Sequence, residues 1–473
     1  MKIHFLSFIV LLTLIGCKND NNNSEHNYAY LGGQIINPNN DFVVLSKNDM
    51  VIDTIKLDNK NRFLYKITNL DEGLYTFYHG GEIQMVLLEP KDSLIFRLNT
   101  LEFDESLVFT GLGDKKNNYL INEFLENELQ EKKIFKFCQL KPHVYQRRID
   151  SLKQLKTERL NEFKIKYNTS ELFNRIAQGN INYGYYSSKE VYPFVHFGTN
   201  KAAILKSLPS NFYDYRKDIN YNDKFLKDYQ YYNSFLRYSV NNLALKNHLH
   251  HSNEDSFSWN SICYNLDRLN LVDSLISSAV LKDDLLYHFT SNYLSKSSNT
   301  ENNNVLLNSF LSKSKDDVAK DKMKRFALSL NNLKVGSAFP STIIVDTNDS
   351  ELDINSLLKS PTVICFWSHS YIEHFKEIHY KISELKIKYP EVKFIIINTD
   401  NNNQKHFKTA LKENRFDFKD EYQFKTPLES VEALAIQPIT KTIIIDKNQK
   451  IVNSNSNLFS IKFEEQLLGA INR

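Results

Sequence analysis

The chain has 473 residues, 41% of them hydrophobic and 24% charged. That length suits about two to four domains, and so ordinary a composition excludes a chain that is disordered throughout. Bases and acids nearly balance, 59 against 56, for a net charge of +3, so a nucleic-acid role has no electrostatic support.

The first residues read as an export signal. Lys2 gives a positive start, and Phe5 to Ile15 form an apolar run of signal-peptide length. A bilayer span needs about 20 residues, so the run is too short to be one. It ends in Leu14-Ile15-Gly16-Cys17, which resembles the lipobox of bacterial lipoproteins. The resemblance implies that residues 1–17 are a lipoprotein signal cleaved before Cys17, whose thiol and new amino group are acylated. Acyl chains hold a protein by burying methylenes at about 0.8 kcal/mol each. Residues 18–27, with Asn21-Asn22-Asn23 and no apolar side chain, read as a flexible tether. Lys18-Asn19-Asp20 resembles in part the basic-then-acidic signal that sends some lipoproteins to the outer face of the outer membrane. The expected address is the cell envelope, anchored to the outer membrane on its periplasmic or surface face. The expected partners are that membrane, through the lipid, and envelope proteins or peptides.

Residues 28–112 read as β structure. Phe42-Val43-Val44-Leu45, Phe63-Leu64-Tyr65 and Met85-Val86-Leu87-Leu88 are short apolar runs, separated by turn segments such as Asn37-Pro38-Asn39-Asn40, Asp58 to Asn61 and Asp71-Glu72-Gly73. Regular short strands predict a small antiparallel sandwich. Gly33-Gln34-Ile35, Asp53-Thr54 and Gly73-Leu74-Tyr75 resemble the uncharacterised β domain that precedes thioredoxin-like domains in many envelope lipoproteins.

Residues 113–333 predict an all-α region. Ile149, Leu152, Leu155, Leu160 and Phe163 recur near helical spacing, as do Phe225, Tyr229, Tyr232 and Leu236. Polar stretches at Ser295 to Asn304 and His250 to Ser256 predict inter-helix loops. Two of Tyr229, Tyr231 and Tyr232 share a side and belong in a core rather than on a sugar-binding platform. His248, His250, His251, Glu254 and Asp255 read as a surface loop rather than a metal site. No phosphate-binding Gly-rich loop, GxSxG or HExxH occurs.

Residues 334–473 alternate continuously apolar strands with helices, which predicts a central sheet covered on both faces. The strands are Thr362 to Trp367, Val392 to Ile397, Thr442 to Ile445 and Ile451-Val452. A helix after Ser370 carries Ile372, Phe375, Ile378, Ile382 and Leu385 on one stripe. Val335-Gly336-Ser337-Ala338-Phe339-Pro340, Val363 to Ser368 and Ile443 to Ile451 resemble, in order, the "VGxxxP" opening, the strand running into "FWA" and the "lIDkdGkI" hairpin of TlpA/ResA-type thioredoxin-like domains. The fold this implies does not by itself give an activity.

The sequence departs from that family at its chemistry. The family's "FWAxWCxxC" aligns with Phe366 to His374, which puts Tyr371 at the attacking cysteine and His374 at the resolving one. Thiol–disulfide exchange needs a thiolate, and a phenol and an imidazole cannot replace it. The family's cis-proline stands six residues before the hairpin aspartate, a place held here by Thr440, with Pro438 two residues upstream. A non-proline cis bond costs about 3 kcal/mol, so Thr440 is expected to be trans and the proline position lost, unless a two-residue bulge restores Pro438 to it. Beyond Cys17, Cys138, Cys263 and Cys365 form no CxxC or metal-ligand spacing. Cys365 falls inside the strand and is expected to be a buried, inert thiol.

The expected architecture is therefore multidomain α+β: an N-terminal antiparallel β sandwich, an all-α middle region and a C-terminal thioredoxin-like α/β domain. The first functional expectation is a binding or scaffold role, with no catalytic residue, cofactor or metal. The alternative is an envelope thiol–disulfide oxidoreductase of the TlpA-like family working through non-standard cysteines. A third reading is ligand contact through His369, Glu373 and Glu377, or a metal module formed by His369, Glu373 and His374. Against that third reading, Glu373 at a helix start is also what the helix dipole favours in a solvated side chain.

Overall fold

A computed structural model describes residues 27–48, 50–223, 225–227, 229–252, 257–401 and 404–472. The expected signal segment with Cys17, the expected tether up to residue 26, and Glu254 and Asp255 lie outside the described residues. The described chain divides into two compact units, residues 27–77 with 84–121 and residues 78–83 with 122–472. No described helix is long and apolar enough to cross a membrane.

The first unit is built on β1 (Tyr28–Ile36), β2 (Phe42–Lys47), β3 (Met50–Lys56), β4 (Arg62–Thr68), β5 (Gly73–His79), β6 (Glu82–Leu88), β7 (Ser93–Asn99) and β8 (Val108–Leu112). Alternation selects the inner face: in β7, Leu94, Phe96 and Leu98 are buried between exposed Ser93, Ile95 and Arg97. The strands form two four-stranded sheets, ordered β4-β1-β7-β8 and β3-β2-β5-β6. Phe77 of β5 stacks on Phe96 of β7 with ring centroids 4.7 Å apart, so the two sheets share one aromatic core. Asn37, Asn48, Asn61 and Asn69 all have positive φ, the conformation asparagine tolerates best among residues with a side chain, and they turn the chain between strands.

The sandwich is not wholly antiparallel as expected. β1 and β7 run parallel, from Tyr30 opposite Ser93 to Ile36 opposite Asn99. Parallel neighbours need a long crossover rather than a tight turn, and the chain between them builds the second sheet on the way, so no local turn signal marks the pairing. Gly111 holds the outer edge: its φ is +98°, and a Cβ there would lie 2.1 Å from the Ser93 carbonyl oxygen. Gly111→Ala should destabilise this unit by on the order of 1–3 kcal/mol, read as a fall in the urea midpoint. A midpoint within error of wild type would contradict the geometry.

The second unit opens with helices. α1 (Asp114–Phe137) begins in the first unit, and α2 (Pro142–Tyr167), α3 (Glu171–Val195), α4 (Lys201–Lys206), α5 (Gln230–His251), α6 (Ile262–Leu275), α7 (Ala279–Lys296), α8 (Thr300–Lys313) and α9 (Asp317–Asn332) follow. Side-chain caps set several of the starts: Ser170, Ser261, Asn299 and Asp316 accept from the second or third backbone N–H of α3, α6, α8 and α9. Three expectations change here. α7 runs to Lys296 and Asn299 caps α8, so only residues 297–299 of the predicted loop lie between helices. Phe225 and Tyr229 precede α5 rather than lying on it, although Tyr229 and Tyr232 are buried as expected. His248 to His251 form the last turn of α5, and His248 is fully buried. Polar composition misled at 300–304 and 248–251, because a helix end or an exposed helix face tolerates the residues a loop does, while at Phe225 and Tyr229 the apolar spacing ran on past the helix start.

Deep in this helical region sits a charged group. Glu190 of α3 has no exposed side-chain surface and pairs with Arg216, whose Nε donates to it at 2.9 Å. Tyr215 donates its hydroxyl to the same carboxylate at 2.7 Å.

The C-terminal part adds β9 (Ile343–Asp346), β10 (Glu351–Asp353), β11 (Thr362–Trp367), α10 (Ile372–Lys388), β12 (Lys393–Asn398), α11 (Gln404–Glu413), β13 (Glu421–Phe424), α12 (Pro427–Ala433), β14 (Lys441–Ile445), β15 (Ile451–Asn457) and α13 (Phe463–Ile471). Seven strands form one sheet, ordered β10-β9-β13-β12-β11-β14-β15. β11, β12 and β13 are parallel, while β14 runs antiparallel to β11. Every residue of β11 is buried, as its continuous apolar run required. β13, α12 and the β9–β10 hairpin have short or polar sequences and were not anticipated. This part and the helical region belong to the same compact unit: α9 packs against α12, and Arg325 of α9 pairs with Glu432 of α12.

Candidate functional site

The candidate site is the loop where β11 runs into α10. Trp367 ends the strand with its ring 4.3 Å from that of Phe375 on the first turns of the helix, so the loop is anchored by apolar packing at both ends. Between them, Ser368 donates its hydroxyl to Asp400, and the backbone N–H of His369 donates to the same carboxylate at 2.7 Å. Asp400 is itself held: Asn398 Nδ2 donates to its carboxylate at 3.0 Å, and Gln423 Nε2 donates to its backbone carbonyl at 3.0 Å. This clasp fixes the conformation of residues 368–369. It joins three strands about 30 and 55 residues apart in sequence, which is why spacing did not reveal it.

Tyr371 takes the position before the first helical residue and is 57% exposed. His374, one turn in, is half-buried, with Nε2 3.2 Å from the Phe366 carbonyl. Burial pulls the His374 imidazole below its ordinary pKa, against the pull of that carbonyl. Gly81, in the same unit, lies against the preceding residue, since a Cβ on it would come within 2.8 Å of the Ser370 carbonyl oxygen. The remaining candidates do not converge. Glu373 is exposed and pairs with Lys376 at 3.0 Å, Glu377 is exposed, and His369 meets Asp400 through its backbone. Among the described residues, His369, Glu373 and His374 form no ligating cluster.

The proline position needs correction. The Gln437–Pro438 peptide bond is cis, so the loop before β14 carries its proline at Pro438, and Thr440 does not stand in for it. Two extra residues between the proline and the strand displace the count made from Asp446. Just beyond, the buried Lys441 Nζ donates to the Leu434 and Ala435 carbonyls at 2.8 and 3.0 Å, closing the C-terminal end of α12. Burial brings its pKa down to about 7.

Below the loop lies a buried ion-pairing group that spacing also missed. His379 of α10 meets Glu421 of β13 at 2.9 Å through Nε2, and its Nδ1 meets the Phe375 carbonyl at 2.7 Å. The carbonyl can only accept, so Nδ1 carries a proton, and one further proton is shared between Nε2 and the carboxyl group. Cys365 is fully buried in β11, its sulfur 4.0 Å from Thr442 Oγ1, and burial pushes its thiol up to about 12. Cys138 is likewise buried and pushed up to about 11. No disulfide is present among the described residues.

A second concavity lies in the helical region. It has a volume of about 450 Å³ and is lined by Lys153, Lys156, Asn180, Tyr185 and Tyr231 among others. Asn180 Oδ1 is buried there without a hydrogen-bond partner.

No family model matches the sequence, and no curated protein matches it. Solved structures do. A candidate thiol-disulfide oxidoreductase from Bacteroides vulgatus is 18% identical, covering 29% of this chain and 98% of its own, with a TM-score of 0.26. A thiol:disulfide interchange protein from Bacteroides sp. is 17% identical, covering 26% and 80%, with a TM-score of 0.23. The C-terminal domain of a candidate thiol-disulfide oxidoreductase from Bacteroides thetaiotaomicron is 16% identical, covering 30% and 98%, with a TM-score of 0.25. Each of these likenesses covers less than a third of this chain.

Proposed function

We propose that this chain is a lipid-anchored cell-envelope protein whose thioredoxin-like region binds protein or peptide partners and does not exchange disulfides. The observation that carries the reading is the helix entrance itself. An exposed phenol at Tyr371 and a half-buried imidazole at His374 occupy the two places where sulfur would have to react. Cys365, the nearest cysteine in sequence, is sealed in the sheet with a thiol held near 12, so at neutral pH its thiolate population is about five orders of magnitude below the thiol. The Asp400 clasp keeps the loop ordered without that chemistry, which suits a surface retained for contact. The anchor rests on the Leu14 to Cys17 motif.

Three measurements test this. Insulin reduction by the purified protein should stay at background, and Cys365 should resist a disulfide reagent at pH 8 until the protein is unfolded. Turnover at the rate of a CxxC enzyme, or a mixed disulfide trapped at Cys365, Cys138 or Cys263 in the native state, would establish the oxidoreductase alternative instead. Labelled palmitate should enter the wild type and not Cys17→Ala; equal labelling of the two would remove the anchor.

A further inference from the structure

We propose that the corner between α5 and α6 is a divalent transition-metal site, most suited to zinc, formed by His248, His251, Cys263 and Asp267. The two histidines are one helical turn apart at the end of α5, and the cysteine and aspartate are one turn apart at the start of α6. Each pair therefore shares a face of its helix, and the two helices pack together. The result is convergence: ligand atoms of His248, Cys263 and Asp267 all lie within 4.8 Å of one another. His251 sits against the same two α6 residues, with Nε2 3.0 Å from the Asp267 carboxylate and Nδ1 3.6 Å from the Cys263 sulfur.

Those separations suit an ion. Tetrahedral zinc holds sulfur at about 2.3 Å and nitrogen or oxygen at about 2.0–2.2 Å, which puts neighbouring ligand atoms roughly 3.3–3.8 Å apart. His248, Cys263 and Asp267 need to close by about 1.5 Å or less to reach that spacing, and His251, already against the Cys263 sulfur and the Asp267 carboxylate, would turn one ring nitrogen towards the ion. The donor chemistry agrees. A thiolate and a carboxylate together neutralise a divalent charge, and two imidazoles complete four ligands without adding any. Thiolate with imidazole selects zinc-like ions over magnesium or calcium, which prefer all-oxygen shells.

The surroundings are those of a structural site. His248 is fully buried, with the rings of Phe257 and Tyr264 6.4 and 5.9 Å from its own. Its imidazole is therefore held in place before any ion arrives. Asp267 is mostly covered, while His251 is half exposed and gives an ion a path in. The metal would tie the last turn of α5 to the first turns of α6 across the residues that connect them.

The test uses the full chain after its signal segment, purified without a histidine tag, stripped with chelator and titrated with Co(II) and then Zn(II). One equivalent of Co(II) should give the near-ultraviolet thiolate-to-metal band and the visible bands of a tetrahedral site, and one equivalent of Zn(II) should abolish both. Cys263→Ser should lose the thiolate band, and Asp267→Asn and His251→Ala should each weaken affinity at least about tenfold. Zinc should also slow alkylation of Cys263 in the wild type by at least about tenfold. Absence of the thiolate band in folded wild type, or equal binding by Cys263→Ser and wild type, would overturn the site. His248→Ala is less informative because it empties a buried position, and the three exposed or half-buried variants make it unnecessary.

Discussion

Replacing Tyr371 and His374 together by cysteine should confer disulfide reductase activity, with insulin reduction rising at least about tenfold above that of the wild type. The argument is geometric. Position 371 caps a 17-residue helix and is solvent-exposed, and a thiol at such an N-terminus is drawn from about 8.5 into the range of roughly 3.5–7.5. At pH 7 that change converts a few per cent thiolate into a large fraction. Position 374 lies three residues on, one turn inward and half-buried, where helix geometry sets two α-carbons about 5 Å apart, inside the range a disulfide accepts. The cost is the His374 contact with the Phe366 carbonyl, on the order of 1 kcal/mol. Tyr371→Cys alone should form mixed disulfides without turning over, and His374→Cys alone should stay silent. If the folded double variant is inert, then more than sulfur has been lost from the loop, and the clasp at Asp400 has set it in a shape unfit for exchange.

Arg216→Met should cost the second unit about 3–5 kcal/mol, read from urea unfolding. Glu190 is the reason: it is fully buried, and Arg216 and Tyr215 are its charged and neutral donors. Removing the guanidinium strands a carboxylate in a medium that cannot solvate it, which is where buried pairs prove expensive to break. Burial already raises the Glu190 pKa above its ordinary value, with Arg216 pulling the other way, so without Arg216 it rises further. A carboxyl whose folded pKa exceeds its unfolded one binds more protons when folded. The variant should therefore be most stable below about pH 4.5 and lose stability as pH climbs through the raised folded value. Glu190→Gln combined with Arg216→Met should recover much of the loss and flatten the pH dependence. A single-variant cost under about 1 kcal/mol would show that the pair is not what holds α3 to the 214–218 turn.

Much of the C-terminal sheet was legible because its signals are local. β11 carries five apolar residues in a row after Thr362, and the α10 stripe repeats at helical spacing. β13 was not, because Glu421-Tyr422-Gln423-Phe424 is short and half polar. It is buried only because β12 and β9 flank it. The parallel partnership of β1 with β7 fails for a related reason: pairing direction between distant strands leaves no mark in either one. At the candidate site, Tyr371 and His374 could be placed by alignment alone, since they follow the strand without a gap. Asp400 and Gln423 could not, because they come to the loop from the end of β12 and from β13, and Glu421 could not, because it meets α10 from β13. The proline was misplaced because the count of six residues back from Asp446 allowed for no bulge, and the cis bond lies two residues further upstream, at Pro438. Cys263 showed no ligand spacing because the histidines near it stand on another helix, beyond a polar connection.

The place of β1 has a mechanical consequence. It is the first strand of the described chain, yet it is interior to its sheet, paired over seven positions with β4 on one side and seven with β7 on the other. Traction on the chain ahead of Tyr28 enters along a strand gripped from both flanks, so its ladders share the load and must shear together. An edge strand under the same pull would unzip one bond at a time.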